Sequence, residues 1–269
     1  MPILIWGQRA LGGIVSLVLL GALIALLGKP PRNIPYLLLQ AKNGDASALA
    51  RLREEAEADN VPSQEALVRL LSESARPVEQ AEAFRWAERA AEHGSAMAHH
   101  EIGHMLEMGI GTIPNDEVAC HYYRLAYEQG YVASANSLGA LYLTGRGVPA
   151  DPQEAVRLFR KAAEAGHGAG AFNLAMRYLD GEGVLPDAAV AAQWLEKAAA
   201  DGNSQSTASM AKLQLGYLYE EGRGVERDPI KALHLYEEAG ATNAEARQNL
   251  ARLKQRLSEP SGTPRDRDE

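Results

Sequence analysis

Between residues 131 and 202 small and apolar side chains return at a helical interval, and the interval is interrupted at the same places twice. Ser134, Leu138 and Tyr142 lie four residues apart, which sets them on one face of an amphipathic helix, helix A. Gly145 and Gly147 accept positive φ and end that helix in a tight loop. Asp151 then stands as an N-cap, with Pro152 at the first helical position and Glu154 three residues on, a capping-box arrangement that starts helix B. Ala155, Phe159, Ala162 and Ala163 make its inward face, and Gly166 closes it with a left-handed residue. Small residues at Ala155 and Ala162 let neighbouring helices approach, while one large residue per unit fills the gap between them.

The same classes recur 36 residues later at Leu174, Tyr178, Gly181, Gly183, Val184, Asp187, Ala191, Leu195, Ala198, Ala199 and Gly202. Upstream, a copy keyed on Ile102 contains Gly109, Gly111, Asn115, Ala119, Tyr123, Ala126 and Gly130. Downstream, one keyed on Leu215 contains Tyr219, Gly222, Gly224, Val225, Asp228, Ala232, Tyr236 and Ala239, after a polar insert of five residues at 203–207. Inserts of this kind are expected in loops at a solenoid edge. Four copies at near-constant spacing predict a stack of one supersecondary unit.

The pattern A-x-x-x-L-G-x-x-Y-x-x-G-x-G-V-x-x-D, followed by A-x-x-x-[WYF] and A-A-x-x-x-G, resembles the Sel-one-like repeat (SLR), a longer-looped relative of the tetratricopeptide repeat. The resemblance implies an all-α fold, a right-handed superhelical solenoid of antiparallel helix pairs used mainly to hold other proteins. It is specific for fold and says little about chemistry. Four repeats cover 95–242. Residues 33–94 read as degenerate repeats forming an N-terminal cap, because terminal repeats must turn one face to water. There Gly44, Ala46, Ala48 and Leu52 match the opening of helix A, and Ala83, Trp86, Ala90, Ala91 and Gly94 match helix B. A capping helix is expected over 243–257 and a disordered tail over 258–269.

Residues 1–32 form a separate region, without acids and with only Arg9, Lys29 and Arg32 as bases. The run 10–28 is apolar apart from Ser16, and as a helix its 19 residues span roughly 28 Å, close to the thickness of bilayer hydrocarbon. It reads as an uncleaved single-pass signal anchor, since no A-x-A cleavage pattern ends it. The bases nearly balance across the span; the short amino terminus, together with what the resemblance implies from the use of such anchors in similar bacterial proteins, favours a bacterial inner-membrane protein with its repeats in the periplasm. Cleavage near Gly28, releasing a free adaptor, is the other reading.

Composition narrows the function further. An apolar fraction of 46% is enough for a substantial core, and a single cysteine, Cys120, excludes an intrachain disulfide framework and C-x-x-C metal sites. Residues 33–269 hold 24 bases against all 35 acids, a formal charge of −11, which argues against nucleic acid as a partner. No nucleotide loop, nucleophile elbow or catalytic carboxylate pair is present, and the G-x-G copies lack the third glycine and preceding strand of a dinucleotide site.

The chemistry therefore falls to the face of helix A turned away from the stack, at offsets −2, −1, +2, +5 and +6 from each key residue. In related superhelices this face lines the concave groove. It begins with His100, Glu101, His104, Glu107 and Met108, and continues with Asn136, Ser137, Ala140, Leu143 and Thr144. Phe172, Asn173, Met176, Leu179 and Asp180 come next, then Leu213, Gln214, Tyr217, Glu220 and Glu221. His100, His104, Asn136, Phe172, Asn173, Met176, Leu213 and Tyr217 are the partner-binding candidates, because an apolar strip with a polar rim suits a peptide or partner helix. Phe172, Met176 and Tyr217 serve equally as packing between repeats. His100 and His104, four residues apart, could hold a metal with Glu101 or Glu107, but no cysteine partner accompanies them. The expected function is a membrane-anchored scaffold or adaptor for an envelope protein complex, without cofactor or catalysis. The competing reading is a small-molecule hydrolase or metal-dependent enzyme on the same repeats.

Overall fold

A computed structural model describes residues 33–258, and these residues form thirteen α-helices without a strand. In chain order they are α1 (Ile34–Lys42), α2 (Ala46–Glu57), α3 (Val61–Ser72), α4 (Pro77–Glu92), α5 (Ala96–Met108), α6 (Asp116–Glu128), α7 (Ala133–Thr144), α8 (Pro152–Glu164), α9 (Gly168–Asp180), α10 (Ala188–Ala199), α11 (Gln205–Glu221), α12 (Pro229–Gly240) and α13 (Ala244–Ser258). Each packs on the next across a short loop, so neighbours are antiparallel and the chain piles up as a solenoid. The odd-numbered helices also touch one another directly, α1 with α3, α3 with α5, α7 with α9 and α9 with α11, and even-numbered helices do not do so to that extent. Helices that meet across a repeat lie on the inside of the curve, so the odd helices form the inner layer. Among the described residues no helix is long and apolar enough to cross a membrane. The expected anchor over 10–28 lies outside them, as does the expected tail beyond Ser258, the residue on which α13 ends.

The loops of the full repeats are built alike. Gly109, Gly145, Gly181 and Gly222 end α5, α7, α9 and α11 in the left-handed region. Asn115, Asp151, Asp187 and Asp228 cap the helices that follow, each accepting hydrogen bonds from the first turn. The capping box expected at Asp151 is corrected: the Glu154 carboxylate binds Arg157, at 2.6 and 2.7 Å, instead of reaching back. The Asp151 N–H is already taken, because it donates to Tyr142 O at 2.8 Å and so closes the loop. Asn115, Asp187 and Asp228 repeat that bond to Leu106, Tyr178 and Tyr219 at 2.9 Å.

The second glycine of each loop does something different. A Cβ at Gly147 would collide with the main chain of Asp116, the first residue of α6, and the φ of 70° is itself unfavourable for an L side chain. Gly111, Gly183 and Gly224 sit in the same way on the first turns of α4, α8 and α10. This glycine is therefore where one repeat rests its backbone on the B helix of the repeat before.

Inside a repeat, the packing is small against large. Gly103 and Gly139 lie against the rings of Tyr123 and Phe159, where an added Cβ would stand only 2.8 Å away, and Gly216 lies closer still to Tyr236. In the third repeat the large residue is Leu195, smaller than an aromatic, and the matching glycine becomes Ala175. Volume is conserved across the pair. Tyr123, Phe159, Leu195 and Tyr236 are all at most 1% exposed.

Three local readings are corrected. Ala46–Leu52 was matched to an A helix, but α2 has even parity and lies in the outer layer, with α1 against α3 inside it. The polar insert at 203–207 does not loop out at the edge: Ser204 caps α11, and the insert lengthens that helix to 17 residues. Gly202 is not left-handed, unlike Gly130 and Gly166 at the equivalent turns.

Replacing Gly147 by Ala is expected to cost about 1–3 kcal/mol more than replacing Gly145, since both meet the left-handed penalty but only Gly147 would collide with the main chain of another helix. Urea denaturation of the two variants measures the difference, and equal losses would refute the backbone contact.

Candidate binding groove

Twenty side chains from α5, α7, α9 and α11 occupy the offsets expected to face the groove, and none is Lys or Arg. The structure divides them into three groups. The first has been drawn into the fold. Glu107 accepts from Tyr123 Oη at 2.9 Å and from Arg146 Nη1 of the next repeat at 2.9 Å. Glu220, only 6% exposed, accepts from Tyr236 Oη at 3.0 Å, from Arg252 at 2.6 Å and from Arg256 at 2.8 Å, both arginines standing on α13. Burial, followed by the neighbouring carboxylate, pushes both tyrosines well above the usual phenol range. In the repeats whose large residue has no hydroxyl, Phe159 and Leu195, the position of these glutamates is held by Leu143 and Leu179.

Leu213 belongs to this group too. Expected on the groove, it is 3% exposed and packs with Ala232, Tyr236 and Leu253, because α13 closes over that end of α11. Tyr217 is half-buried, its ring edge-on to Tyr236 at 5.7 Å, and its hydroxyl donates to Glu245 at 2.7 Å while accepting from Asn249 at 2.6 Å. It joins α11 to α13 and keeps one edge on a cleft of about 310 Å³ with Leu179, Gln214, Glu221 and Arg223.

The second group is apolar and half-buried. Phe172, with Ala140, Leu143 and Leu179, lies against the core of the second and third repeats and still shows part of its surface. Met176 is half-buried beside them on α9.

The third group is polar. His100 is half-buried against the rings of Tyr123 and Tyr131, at 5.3 and 5.0 Å, and its Nδ1 is hydrogen-bonded to Ser134 Oγ at 2.9 Å. Burial, helped by the imidazoles of His104 and His167, pushes its pKa down to about 4, so the ring is neutral at pH 7. Glu101 is half-buried, and burial raises its carboxyl above the usual range, with Glu73 adding to the rise and His104 and Arg69 opposing it. His104 is exposed. Asn173 Nδ2 donates to Asn136 Oδ1 at 2.8 Å, tying α7 to α9 across the groove floor.

His100 and His104 do not converge with a third ligand, and among the described residues no group of three or more His, Cys, Asp or Glu could hold a metal ion. Sequence reasoning missed Arg69 and Tyr131, which stand close enough to Glu101 to act on its charge, and Arg223, whose guanidinium donates to Leu179 O at 3.0 Å. Arg223 was legible as the counterpart of Arg146 in the loop pattern; Arg69 lies in a degenerate repeat where no offset could be assigned. His167 proves to be an N-cap, accepting from Gly170 N at 3.2 Å.

Compared with known proteins, residues 74–95, 96–131, 132–167, 168–203 and 209–241 match the model of the Sel1 repeat. Among solved structures, a Sel1 repeat protein from Oxalobacter formigenes is 33% identical with a TM-score of 0.68, over 77% of this chain and 59% of that one. A protective antigen of uropathogenic Escherichia coli displaying an SLR fold is 30% identical with a TM-score of 0.67, over 76% of this chain and 43% of that one. The chain thus spans less than two thirds of the length of either. No curated protein matches it.

His100 generates a pH dependence whose sign is fixed. Unfolded, its pKa is 6.5; folded, about 4, so the unfolded chain binds the extra proton between these values and stability falls as pH drops from 6.5 to 4. The loss is on the order of 3 kcal/mol at most. The His100→Asn variant is expected to lose less over this window in thermal melts, Glu101 acting equally in both proteins; parallel curves would refute the assignment.

Proposed function

Because the chain belongs to the Sel1 repeat family, whose members generally mediate protein–protein interaction, we propose that it is a membrane-anchored adaptor that holds a partner protein in the groove of its inner helices. The observation that carries this reading is the mixed surface of α7 and α9. Phe172 and Met176 offer apolar area that the fold buries only halfway, beside the amides of Asn136 and Asn173 and the carboxylate of Asp180 on the same face. Such a surface binds by removing apolar area from water while its polar groups set orientation. Sel1 repeat proteins are generally non-catalytic scaffolds; residues 100–104 spell H-E-x-x-H, but the one hydroxyl hydrogen-bonded to the neutral His100, that of Ser134, is fully buried, and among the described residues no group of three or more His, Cys, Asp or Glu could hold a metal ion.

The tether is the second half of the proposal. The apolar run 10–28 has the length to cross a bilayer, and only Lys29, Pro30, Pro31, Arg32 and Asn33 separate it from α1. A short proline-bearing link would keep the solenoid at the membrane surface, in the bacterial envelope and on the periplasmic side. An adaptor so placed would present its groove to proteins working at that membrane.

A photo-crosslinking residue in place of Met176 in the full-length, membrane-bound protein is expected to capture one protein that the same residue in place of Glu164, on the outer layer, does not capture. Met176→Glu should weaken that complex at least about tenfold with the melting temperature unchanged. Equal capture from both faces would refute the groove, and a reporter fused after Glu269 that is active only in the cytoplasm would refute the proposed orientation.

A further inference from the structure

We propose that the groove grips an extended, positively charged segment of its partner by the main chain, at the amide pair Asn136 and Asn173. The inference rests on the groove reading above and gives the occupant a chemistry. The bond from Asn173 Nδ2 to Asn136 Oδ1, 2.8 Å long, uses one donor and one acceptor of the pair. Asn136 Nδ2 and Asn173 Oδ1 then have no protein partner among the described residues, although both side chains are half-buried. Water reaches both atoms, and a ligand that pairs with them in its place gains modestly from the exchange.

A free N–H beside a free C=O is the complement of one extended residue, whose own C=O and N–H lie on the same side of the chain. A helical partner spends its own N–H and C=O groups within the helix, so only an extended chain has both to offer. The pair occurs once. At the same offsets, the preceding junction of A helices has His100 and Ser137, and the following one has Phe172 and Gln214. A single clamp of this kind fixes the register of the segment, and Phe172 and Met176 beside it receive its side chains.

Charge selects among extended segments. None of the twenty inward positions is Lys or Arg, and Glu101 and Glu221, at opposite ends of the row, have neither a hydrogen bond nor an ion pair within the described residues, although Arg69 and Arg223 stand near them. Three A-helix steps separate them, about 30 Å or roughly nine extended residues. A segment held at its centre by the amides would place basic side chains near both carboxylates.

The test uses the full-length protein and random peptides of roughly 12 residues displayed on phage, long enough to cover that span. Enriched peptides are synthesised, and each backbone N–H is removed in turn by N-methylation. We expect the enriched peptides to be net positive, and one N-methyl position to lower affinity at least about tenfold by calorimetry. With Asn173→Ala that penalty should shrink to less than about threefold, because its acceptor is gone. The scan on the unmodified protein stands even if the variant folds poorly. Peptides that lose binding on Met176→Glu but tolerate N-methylation everywhere, or that carry no positive charge, would overturn the clamp and leave the groove. A library that yields no binder, or binders indifferent to Met176→Glu, would overturn both.

Discussion

The spacing of the solenoid depends on main chain resting on main chain. At Gly111, Gly147, Gly183 and Gly224 the loop of one repeat lies so close to the first turn of an earlier B helix that no Cβ fits between them. A contact between two backbones cannot be widened or narrowed by exchanging side chains, so the step from repeat to repeat is the same wherever the glycine is present. The helices inside each step are then matched by volume, glycine against an aromatic ring or Ala175 against Leu195. A fixed step frees the inner face from any duty in setting the repeat distance. That is why Asn136, Phe172 and Leu213, which share one offset, can differ so much in chemistry.

Polar groups inside the stack follow a second constraint: a buried hydroxyl needs an acceptor, and a buried carboxylate needs donors. Tyr123 and Tyr236 draw Glu107 and Glu220 inward, and these in turn bind arginines from the next structural unit, Arg146 in one case and Arg252 with Arg256 in the other. Each tyrosine hydroxyl therefore ends as a link between units. Where the tyrosine is replaced by Phe159 or Leu195, a leucine takes the place of the glutamate; the arginine's position is then Glu182 in one case, while in the other Arg223 is kept and donates to Leu179 O. The electrostatic links lie at the two ends of the array of full repeats and the apolar ones in its middle.

This division shapes the groove. Its ends carry carboxylates and its centre carries Phe172, Met176 and the amide pair, all on helices that meet on the inside of the curve. Inner helices held by a rigid outer layer offer a preorganised surface, and preorganisation lowers the entropic cost of binding. Histidines at one end fit the same account: His100 is a neutral, packed hydrogen-bonding group and His104 an exposed one.

Most of what depends on neighbours along the chain was legible before any coordinates, the Glu154 contact, the 203–207 insert and Gly202 being the exceptions. Helix A and helix B follow from period and punctuation, the caps from Asp151 and its counterparts, and the core from Leu138, Phe159 and Ala162, because a helix reports its buried face through spacing alone. The groove residues were legible as a list of offsets for the same reason. What spacing could not distinguish was one occupant of an offset from another. Glu107, Glu220 and Leu213 look like groove residues by position, yet each is claimed by a group remote in sequence: Arg146, Arg252 with Arg256, and the helix α13. The two glycines of a loop look alike as residues that tolerate positive φ, and only the distance to an earlier helix separates a loop terminator from a spacer. Period is a property of one helix, whereas partnership across 30 residues or more depends on where two helices meet, and that meeting exists only once the stack has formed.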